Sequence, residues 1–401
     1  MEYRQLAGKT GGYTIAMEDA RLRELAREQG TPLFVYSRDM LEERAKKLLS
    51  LELPYGLITR YAMKANNHPD IIRLFHELGL HFDASSSYEA QELLDLGVPG
   101  ETISLSSQQP AHNLAELLER NVQYVATSMR QLQLFLACQN RPNTVGLRVN
   151  PGVGAGHNNR TTTGGANSSF GLWQAYVPEA LELAAAHGVK IDRLHVHIGS
   201  GADPTMWGKM IATALEIAET MPDVTSLDMG GGYKIHRYGD EHEADTEAIT
   251  VEFGLHLQRF AEKMGRKLRL EIEPGTWLVG HAGVLLASVV DVVDTGAEGH
   301  TFLRLNTGMN DFARPGMYGA QHTIAVLNDA TEKQEYVVVG HNCETGDILT
   351  PAPGDPEGIE SRELRRADIG DTVAIYDTGA YCRSMSHKGY NSYPNAQELL
   401  I

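Results

Sequence analysis

The stretch Ile58-Thr-Arg-Tyr-Ala-Met-Lys64-Ala-Asn-Asn-His-Pro69 decides the fold of this chain. Its first five residues, Ile58–Ala62, form a short β-like run. Pro69 opens a helical pattern, at a position where the missing amide hydrogen of proline is not needed. Lys64 lies between the two elements, where its amine is placed to condense with a carbonyl compound. The stretch is therefore one β/α unit with a reactive lysine just past its strand.

Seven more β-like runs follow at regular spacing, and helical segments separate them. The eight runs are Ile58–Ala62, Leu80–Ala84, Thr102–Leu105, Tyr124–Thr127, Thr144–Val149, Ile191–Ile198, Thr225–Met229 and Leu268–Glu273. Apolar residues between the runs recur with the helical period. Ser86-Ser-Tyr-Glu89 predicts a capping box at the start of the second helix. Eight consecutive β/α units predict a (β/α)8 barrel of the TIM type.

Residues able to do chemistry lie at the ends of these runs, where such a barrel carries its active site. Lys64 follows the first run, Asp83 ends the second, and His197 lies at the end of the sixth. Gly230-Gly-Gly232 follows the seventh run, and Glu273-Pro-Gly275 stands at the eighth. A triple glycine lets backbone amides surround an anion, and phosphate commonly binds after strands seven and eight. The carbonyl compound is therefore predicted to be phosphorylated, and pyridoxal 5′-phosphate fits.

Six motifs, in order along the chain, carry a resemblance to a known family. They are Tyr61-Ala-Met-Lys-Ala-Asn66, His195-Val-His-Ile-Gly-Ser-Gly201, Gly230-Gly-Gly232, Glu273-Pro-Gly275, Cys343-Glu-Thr-Gly-Asp347 and Asp377-Thr-Gly-Ala-Tyr381. From about Thr31 to Leu400 the chain resembles the barrel-type pyridoxal-phosphate decarboxylases of the alanine racemase-like fold. Within that family it is most similar to the diaminopimelate decarboxylase branch. The loop from Asn150 to Gly171 looks like the long loop of the bacterial members of that branch.

The resemblance implies a role for each matching residue. Lys64, His197 and Glu273 are expected to hold the cofactor aldehyde, stack on its ring and face its ring nitrogen. The other expected cofactor-binding residues are Asp83, Ser200, Gly230, Gly231, Gly232, Gly275 and Tyr381. Cys343 is expected to protonate the product, and to reach the site from the neighbouring subunit of a homodimer with shared active sites. The expected substrate-binding residues are Arg314, Tyr318, Glu344, Tyr381 and Thr276.

The predicted reaction follows from the carboxylate assigned to the ring nitrogen. Glu273 keeps that nitrogen protonated, which makes the ring a strong electron acceptor and suits loss of CO2 more than racemisation. The leading hypothesis is decarboxylation of meso-2,6-diaminopimelate to L-lysine and CO2, a step of lysine biosynthesis. One alternative is a decarboxylase of the same fold that acts on ornithine, lysine, arginine or a carboxylated polyamine precursor. Another is a non-catalytic regulator that binds a decarboxylase.

Three positions depart from the family pattern. Thr276 replaces the arginine of Glu-Pro-Gly-Arg, Tyr393 replaces the arginine of Tyr-Asn-Ser-Arg-Pro, and Asn306 replaces an aspartate. Loss of an arginine from a bidentate carboxylate site removes about 1.5–3 kcal/mol of charge-assisted binding. The departures therefore bear on the distal group of the substrate and leave the reaction class unchanged.

Two further patterns resemble other kinds of site. His195 alternates with His197, but no third ligand at metal spacing follows, so we expect a packed histidine and no metal. Gly152, Gly154 and Gly156 lack the spacing of a dinucleotide loop, and we interpret them as a mobile lid.

Length and composition bound the organisation of the chain. With 401 residues and 42% hydrophobic content, we expect a barrel over 31–280 and a β-rich domain over 1–30 plus 281–401. The later β-like runs are Val284–Val293, Phe302–Asn306, Glu335–Val339 and Thr372–Tyr376. The net charge of −17 argues against nucleic-acid or anionic-membrane partners. Three cysteines, a start without an apolar leader and no apolar run of membrane-spanning length predict a cytoplasmic protein.

Overall fold

The computed structural model describes residues 4–5, 13–14, 17–153, 164–197 and 199–401. The chain divides into two compact units. The barrel unit comprises Glu42–Lys234 and His242–Trp277, and the sheet unit comprises Met1–Leu41, Ile235–Glu241 and Leu278–Ile401. Among the described residues, no helix is long and apolar enough to cross a membrane. Gly154 and Gly156 of the predicted lid lie outside the described residues.

The barrel unit is a closed ring of parallel strands, so the predicted (β/α)8 fold is confirmed. Its strands, in order around the ring, are Leu57–Ala62, His81–Ala84, Ile103–Ser106, Gln123–Ala126, Thr144–Asn150, Lys190–His195, Ser226–Asp228 and Arg269–Ile272. The eighth strand pairs with the first, which closes the ring. A short strand, Leu172–Trp173, pairs with the end of the fifth.

Helices separate these strands. They are Arg38–Leu49 before the first strand, then Pro69–Glu77, Ser87–Asp95, Leu114–Glu119, Met129–Ala137, Val177–Ala186, Pro204–Glu219, Thr246–Met264 and Thr276–Val279. Short 3-10 turns lie at Met63–Ala65, Gly100–Thr102 and Gln174–Tyr176. Pro69 opens its helix as predicted, behind His68, whose Nδ1 accepts the Asp70 N–H at 3.2 Å.

The predicted capping box forms only in part. The hydroxyl of Ser86 accepts the Glu89 N–H at 3.1 Å, as expected of an N-cap. The Glu89 carboxylate, however, accepts the N–H of Ser85 at 2.6 Å, one residue before the cap. The helix start is therefore capped, and Glu89 ties down the loop that precedes it.

Four predicted strands, the fourth, sixth, seventh and eighth, run past their observed ends, and three of them adjoin the site. The sixth strand ends at His195 and the eighth at Ile272, so His197 and Glu273 lie in the loops that follow. The seventh strand, which lies between them, ends at Asp228, and Gly230 then turns with a left-handed φ of +71°. Backbone contact with the eighth segment continues beyond this point, because the Glu273 N–H donates to the Gly230 carbonyl at 2.8 Å.

A network of buried charges fills part of the barrel, which the sequence patterns did not predict. Arg60 Nε donates to Glu271 at 2.7 Å. Arg193 lies 2.8 Å from Glu271 and 2.5 Å from Asp228. Each residue lies within a barrel strand, and all four are buried. Removing one partner would leave an uncompensated buried charge, at a cost of about 3–5 kcal/mol.

The sheet unit is built on a mixed eight-stranded sheet. Its strands are Leu33–Tyr36, Gly283–Asp294, Thr301–Leu305, Ile324–Val326, Lys333–Val339, Arg362–Arg365, Thr372–Tyr376 and Gln397–Leu400. Two short pairs, Arg4–Gln5 with Tyr13–Thr14 and Pro351–Ala352 with Asp355–Ile359, complete its strands among the described residues. Its helices are Asp19–Gln29 and Arg314–Tyr318, with 3-10 turns at Arg383–Met385 and Tyr390–Ser392. Leu22 and Leu25 of the first helix pack on Val35, Val284 and Tyr376 in the core.

The unit boundaries differ from the predicted ones at 31 and 281. Strand Leu33–Tyr36 pairs antiparallel with Gly283–Leu286 and parallel with Gln397–Leu400, which places residues 31–41 in the sheet unit. The segment Ile235–Glu241, within the range predicted for the barrel, also belongs to the sheet unit. Both assignments depend on contacts between distant parts of the chain, which local patterns do not contain.

Candidate active site

Lys64 lies in the 3-10 turn that directly follows the first barrel strand. Its Nζ is 3.2 Å from Asp83 Oδ2 and 2.8 Å from Ser85 Oγ, both at the end of the second strand. The Lys64 side chain is 43% exposed, whereas the Asp83 side chain is buried. The structure therefore brings the predicted lysine and aspartate together and leaves the amine accessible to a ligand.

Glu89 is a second carboxyl group near this amine, and sequence reasoning missed it. Burial raises the pKa of Glu89 to about 6, and Asp83 also raises it, while Lys64 and the Ser85 amide oppose the shift. Its place in the predicted capping box was the available signal, but that pattern describes a helix end and not a titrating group.

We expect replacement of Glu89 by glutamine to remove a pH dependence of stability. The folded carboxyl has a pKa of about 6, above its usual 4.5. Between these two pKa values the folded protein binds more protons than the unfolded chain. The free energy of unfolding therefore falls by about 2 kcal/mol as the pH rises from below the lower value to above the higher one. An amide cannot ionise, and it can still accept the Ser85 N–H. Urea unfolding of both proteins across the window measures the difference; a difference that does not change with pH would contradict the raised pKa.

Glu273 is buried directly after the eighth strand, and its Oε1 has no hydrogen-bond partner among the described residues. Burial, followed by the Asp228 and Asp83 carboxylates, raises the pKa of Glu273 well above its usual value. Burial opposes ionisation of Asp228 too, but Arg193 and the Gly230 amide hold the pKa of Asp228 below its usual value. Of the two carboxyl groups, Glu273 is therefore the one that holds a proton more readily, and Asp228 the one that ionises more readily.

His197 lies in the loop after the sixth strand and is neutral. Burial, followed by Arg148 and Lys64, lowers the pKa of His197 well below its usual value. Arg148 itself lies at the end of the fifth strand, with its guanidinium 5.0 Å from the centre of the Phe170 ring. A neutral imidazole is suited to stacking against a planar ring, and sequence reasoning missed the arginine that helps keep it neutral.

The three consecutive glycines bring the loops after strands six, seven and eight close together. A Cβ on Gly230 would lie 2.4 Å from His197 Nδ1, and one on Gly231 would lie 2.4 Å from the Glu273 carbonyl oxygen. A Cβ on Gly232 would lie 2.1 Å from the carbonyl oxygen of Gly199. The cradle is closed by the Gly201 N–H, which donates to the Gly232 carbonyl at 3.1 Å. Only glycine fits at these positions, and backbone approach of this kind is typical of anion-binding loops.

The remaining predicted barrel residues lie in the same loops. Ser200 is half-buried between Gly199 and Gly201, and Gly275 is buried after Glu273. Thr276 is half-buried and opens the short helix Thr276–Val279.

His195 is buried, as expected of a packed histidine, but the stated reason against a metal is wrong. Ligand atoms of His195, Asp228 and Glu273 all lie within 4.8 Å of one another, so a third donor is present. Asp228 is already engaged by Arg193 at 2.5 Å and by the Gly230 N–H at 2.9 Å. These contacts engage the more acidic of the two carboxyl groups and disfavour it as a metal ligand.

The predicted residues Cys343 and Glu344 lie in the sheet unit, on an exposed loop. The buried carboxylate of Asp347 organises this loop by accepting the N–H groups of Asn342, at 2.8 Å, and Met309, at 2.7 Å. The Cys343 N–H donates to Asn391 Oδ1 at 2.8 Å. The loop thus presents a thiol and a carboxylate to solvent from a fixed base.

Arg314, Tyr318 and Tyr381 also lie in the sheet unit. Arg314 and Tyr318 stand four residues apart on one short helix, with the guanidinium 5.8 Å from the tyrosine ring centre. The Tyr318 hydroxyl is 3.8 Å from the sulfur of Met385. Tyr381 is half-buried and has a left-handed φ of +56°, which is uncommon for a residue with a side chain.

Two of the three departures from the family pattern have a structural explanation. Asn306 Nδ2 donates to the Thr31 carbonyl at 3.0 Å, and its Oδ1 accepts the Ser288 N–H at 2.7 Å. An ionised aspartate cannot donate to this carbonyl, so the asparagine at this position supports the fold. Tyr393 stacks on His341 with ring centres 3.7 Å apart, next to the Cys343 loop.

Comparison with known proteins gives a consistent result. Residues 39–280 match the family model described as pyridoxal-dependent decarboxylase, pyridoxal binding domain. The chain is 33% identical to diaminopimelate decarboxylase of Streptomyces coelicolor, over 96% of this chain and 88% of that protein. It is 32% identical to diaminopimelate decarboxylase of Escherichia coli strain K12, over 95% of this chain and 91% of that protein.

Solved structures agree with the sequence comparisons. A crystal structure of diaminopimelate decarboxylase superposes with a TM-score of 0.87 at 31% identity, covering 96% of this chain and 93% of that chain. The Helicobacter pylori diaminopimelate decarboxylase complexed with L-lysine superposes with a TM-score of 0.85 at 25% identity, covering 94% and 93%. A lysine/ornithine decarboxylase from Vibrio vulnificus shares the fold. It superposes with a TM-score of 0.81 at 19% identity, covering 97% of this chain and 99% of that chain.

Proposed function

The chain belongs to the pyridoxal-dependent decarboxylase family, and from that premise we propose that it decarboxylates meso-2,6-diaminopimelate, using pyridoxal 5′-phosphate, to give L-lysine and CO2. The observation that carries this proposal is the group of residues at the strand ends of the barrel unit. Lys64 is held by Asp83 there, and Glu273 is buried, with a raised pKa, beside the glycine cradle. The names of the relatives support the choice of substrate.

The residues present fit pyridoxal 5′-phosphate in three ways. The amine of Lys64 is accessible and can hold the aldehyde. Gly230, Gly231 and Gly232 let the loops after strands six, seven and eight approach closely, and backbone approach of this kind is typical of loops that bind phosphate. The Oε1 atom of Glu273, which lacks a hydrogen-bond partner among the described residues, fits the ring nitrogen. Ser200, Gly275 and Tyr381 are the remaining proposed contacts of the cofactor.

When bound, the cofactor supplies a ring that accepts the electron pair left by departing CO2. The chain's own residues set how strongly it does so. Glu273 would face the ring nitrogen, where a buried carboxyl group can hold a proton at that atom and stabilise the resulting charge with little screening by water. His197, whose pKa is lowered by burial, would pack against the ring face without adding a competing positive charge. Asp83 keeps Lys64 oriented toward the aldehyde.

Cys343 is the proposed source of the proton that replaces CO2, and Glu344 the proposed partner of the substrate amine. Both side chains are exposed on a loop whose base is fixed by Asp347, which supports a role in the active site of a second subunit. We therefore propose a homodimer with shared sites. Arg314 and Tyr318 are proposed to hold the distal carboxylate, for which the planar fork of arginine is suited.

Replacing Cys343 by alanine is expected to lower kcat for L-lysine formation by about 100- to 10,000-fold, the range for loss of a general acid. The exposed thiol makes no hydrogen bond to any residue that the structure describes, so thermal stability and cofactor content should not change. The matched control is Cys138→Ala, since Cys138 lies at the end of the barrel helix Met129–Ala137, where its thiol donates to the Leu134 carbonyl at 3.5 Å. An unchanged kcat in the Cys343 variant would remove it as the proton donor.

The function itself is tested by CO2 release from the cofactor-loaded protein, with the amine product identified by mass. The substrates to compare are meso-diaminopimelate, L-lysine, L-ornithine, L-arginine and carboxynorspermidine. L-lysine formed only from diaminopimelate is the expected result. CO2 from another substrate would establish the alternative decarboxylase, and a protein that binds no cofactor would establish the non-catalytic alternative.

A further inference from the structure

Arg237 is a buried arginine of the sheet unit that no part of the proposed reaction uses. It lies in the segment Ile235–Glu241 and is 7% exposed. Its Nε is buried and has no hydrogen-bond partner, and its guanidinium makes no ion pair with any described residue. Burying a guanidinium without an acid costs several kcal/mol unless a ligand supplies the missing partner.

Arg314, already proposed to bind substrate, shares this feature. Its Nε is also buried without a hydrogen-bond partner, and within the described part of the chain its guanidinium contacts the Tyr318 ring and no carboxylate. Acidic residues outnumber basic ones by 52 to 35 in this chain, so acids are not scarce. Two guanidinium groups of one unit are nevertheless left without a counter-ion among the described residues.

The two arginines are neighbours. Thr323 Oγ1 donates to the Arg237 carbonyl at 3.0 Å, which ties the segment to His322 and Thr323. The His322 ring packs edge-on against Phe312, at 4.8 Å, two residues before Arg314. Burial, followed by the charge of Arg314, lowers the pKa of Arg237 to about 10. Burial, Arg237 and Arg314 together lower the pKa of His322 well below its usual value, so the histidine adds no third charge.

The acids nearest to Arg237 are engaged elsewhere. The Glu241 carboxylate accepts the backbone N–H of Arg237 at 2.9 Å and not its guanidinium. Asp377 Oδ1 lies 2.6 Å from His281 Nδ1, and burial raises the pKa of Asp377. The cluster is therefore positive and is suited to a carboxylate ligand.

We propose that Arg237 and Arg314 together form a two-guanidinium site for the distal carboxylate of the substrate. Arg237 is thus a specificity-determining residue, and it supplies the second cation in a chain that has Thr276 where the family pattern has arginine. This inference rests on the proposed function, because it requires a substrate with a carboxylate at its far end. A pair of planar forks can bind both carboxylate oxygens, which one arginine and a threonine cannot do equally well.

The test compares two substrates that differ only in the distal carboxylate, meso-diaminopimelate and D-lysine. For the cofactor-loaded Arg237→Gln variant, we expect kcat/KM for diaminopimelate to fall about 10- to 100-fold, mainly through KM. The value for D-lysine should change less than about twofold, because that substrate has no group for Arg237 to bind. Arg237→Lys keeps the positive charge but not the planar guanidinium. Its kcat/KM for diaminopimelate should lie between the values of the wild type and of Arg237→Gln. An equal loss for both substrates, or none for either, overturns the proposal.

Stability separates a binding role from a structural one. Removing a buried charge without a partner should leave the melting temperature of Arg237→Gln unchanged or raised, whereas a structural arginine would lower it. The matched control is Arg366→Gln, since Arg366 is exposed in the same unit and pairs with Glu332 at 3.0 Å. A lowered melting temperature with equal losses on both substrates would assign Arg237 to the fold alone.

A binding measurement keeps this test separate from that of the proposed function. L-lysine retains the distal carboxylate and cadaverine lacks it, so calorimetry of the cofactor-loaded protein reports the arginine site without turnover. We expect L-lysine to bind more tightly than cadaverine to the wild type and to lose that preference in Arg237→Gln. If the wild type does not decarboxylate diaminopimelate but shows this preference, only the proposed function fails. If it shows no preference, the arginine site fails as well.

Discussion

Replacing Lys64 by alanine is expected to abolish decarboxylation, with a loss on the order of a million-fold, the scale seen when the covalent nucleophile of an enzyme is removed. Lys64 is the accessible amine at the strand ends of the barrel unit, and Asp83 and Ser85 hold its Nζ at 3.2 and 2.8 Å. The variant should also lose covalent attachment of pyridoxal 5′-phosphate. Borohydride reduction followed by peptide mass analysis measures this, since the cofactor mass should be fixed to the Lys64 peptide only in the wild type.

The matched control is Lys209→Ala, an exposed lysine on the barrel helix Pro204–Glu219. It should retain both the covalent label and turnover. Label found on another lysine, or turnover by the Lys64 variant within tenfold of the wild type, would defeat the assignment of the whole site.

Replacing Glu273 by glutamine is expected to lower kcat by about 100- to 1,000-fold, the range for removing one preorganised electrostatic group. The amide keeps the size of the side chain but cannot give a proton to the ring nitrogen or carry a negative charge beside it. The cofactor should still bind, because Lys64 and the glycine cradle remain. Steady-state kinetics with matched cofactor content measures the loss.

Stability gives Glu273→Gln an internal check. Because the folded protein raises the pKa of Glu273, the carboxyl lowers stability at every pH above the usual glutamate range. The glutamine variant should therefore unfold at an equal or higher urea concentration than the wild type at neutral pH. Glu219→Gln, on an exposed ion pair with Lys263, should alter neither kcat nor cofactor content. A kcat within threefold of the wild type for Glu273→Gln would remove this residue from the ring nitrogen.

Much of the candidate site was predictable because a (β/α)8 barrel places active-site groups in one kind of location. Once Lys64, Asp83, His197 and Glu273 were each placed at the end of a strand, closure of the ring put them at the same end of the barrel. Glu89 was not predictable in this way. Its raised pKa depends on burial and on Asp83, two features that a helix-capping pattern does not contain.

The sequence by itself determined the barrel, because the alternation of β-like and helical segments can be recognised from local residue patterns. It also determined the position of Lys64 between a strand and the helix opened by Pro69. Only the tertiary structure decided that strand Leu33–Tyr36 pairs with Gly283–Asp294. It also decided that Arg237 and Arg314 lie near each other. The physical reason is that pairing, burial and charge coupling join residues far apart in the chain, and such contacts leave no periodicity in the sequence.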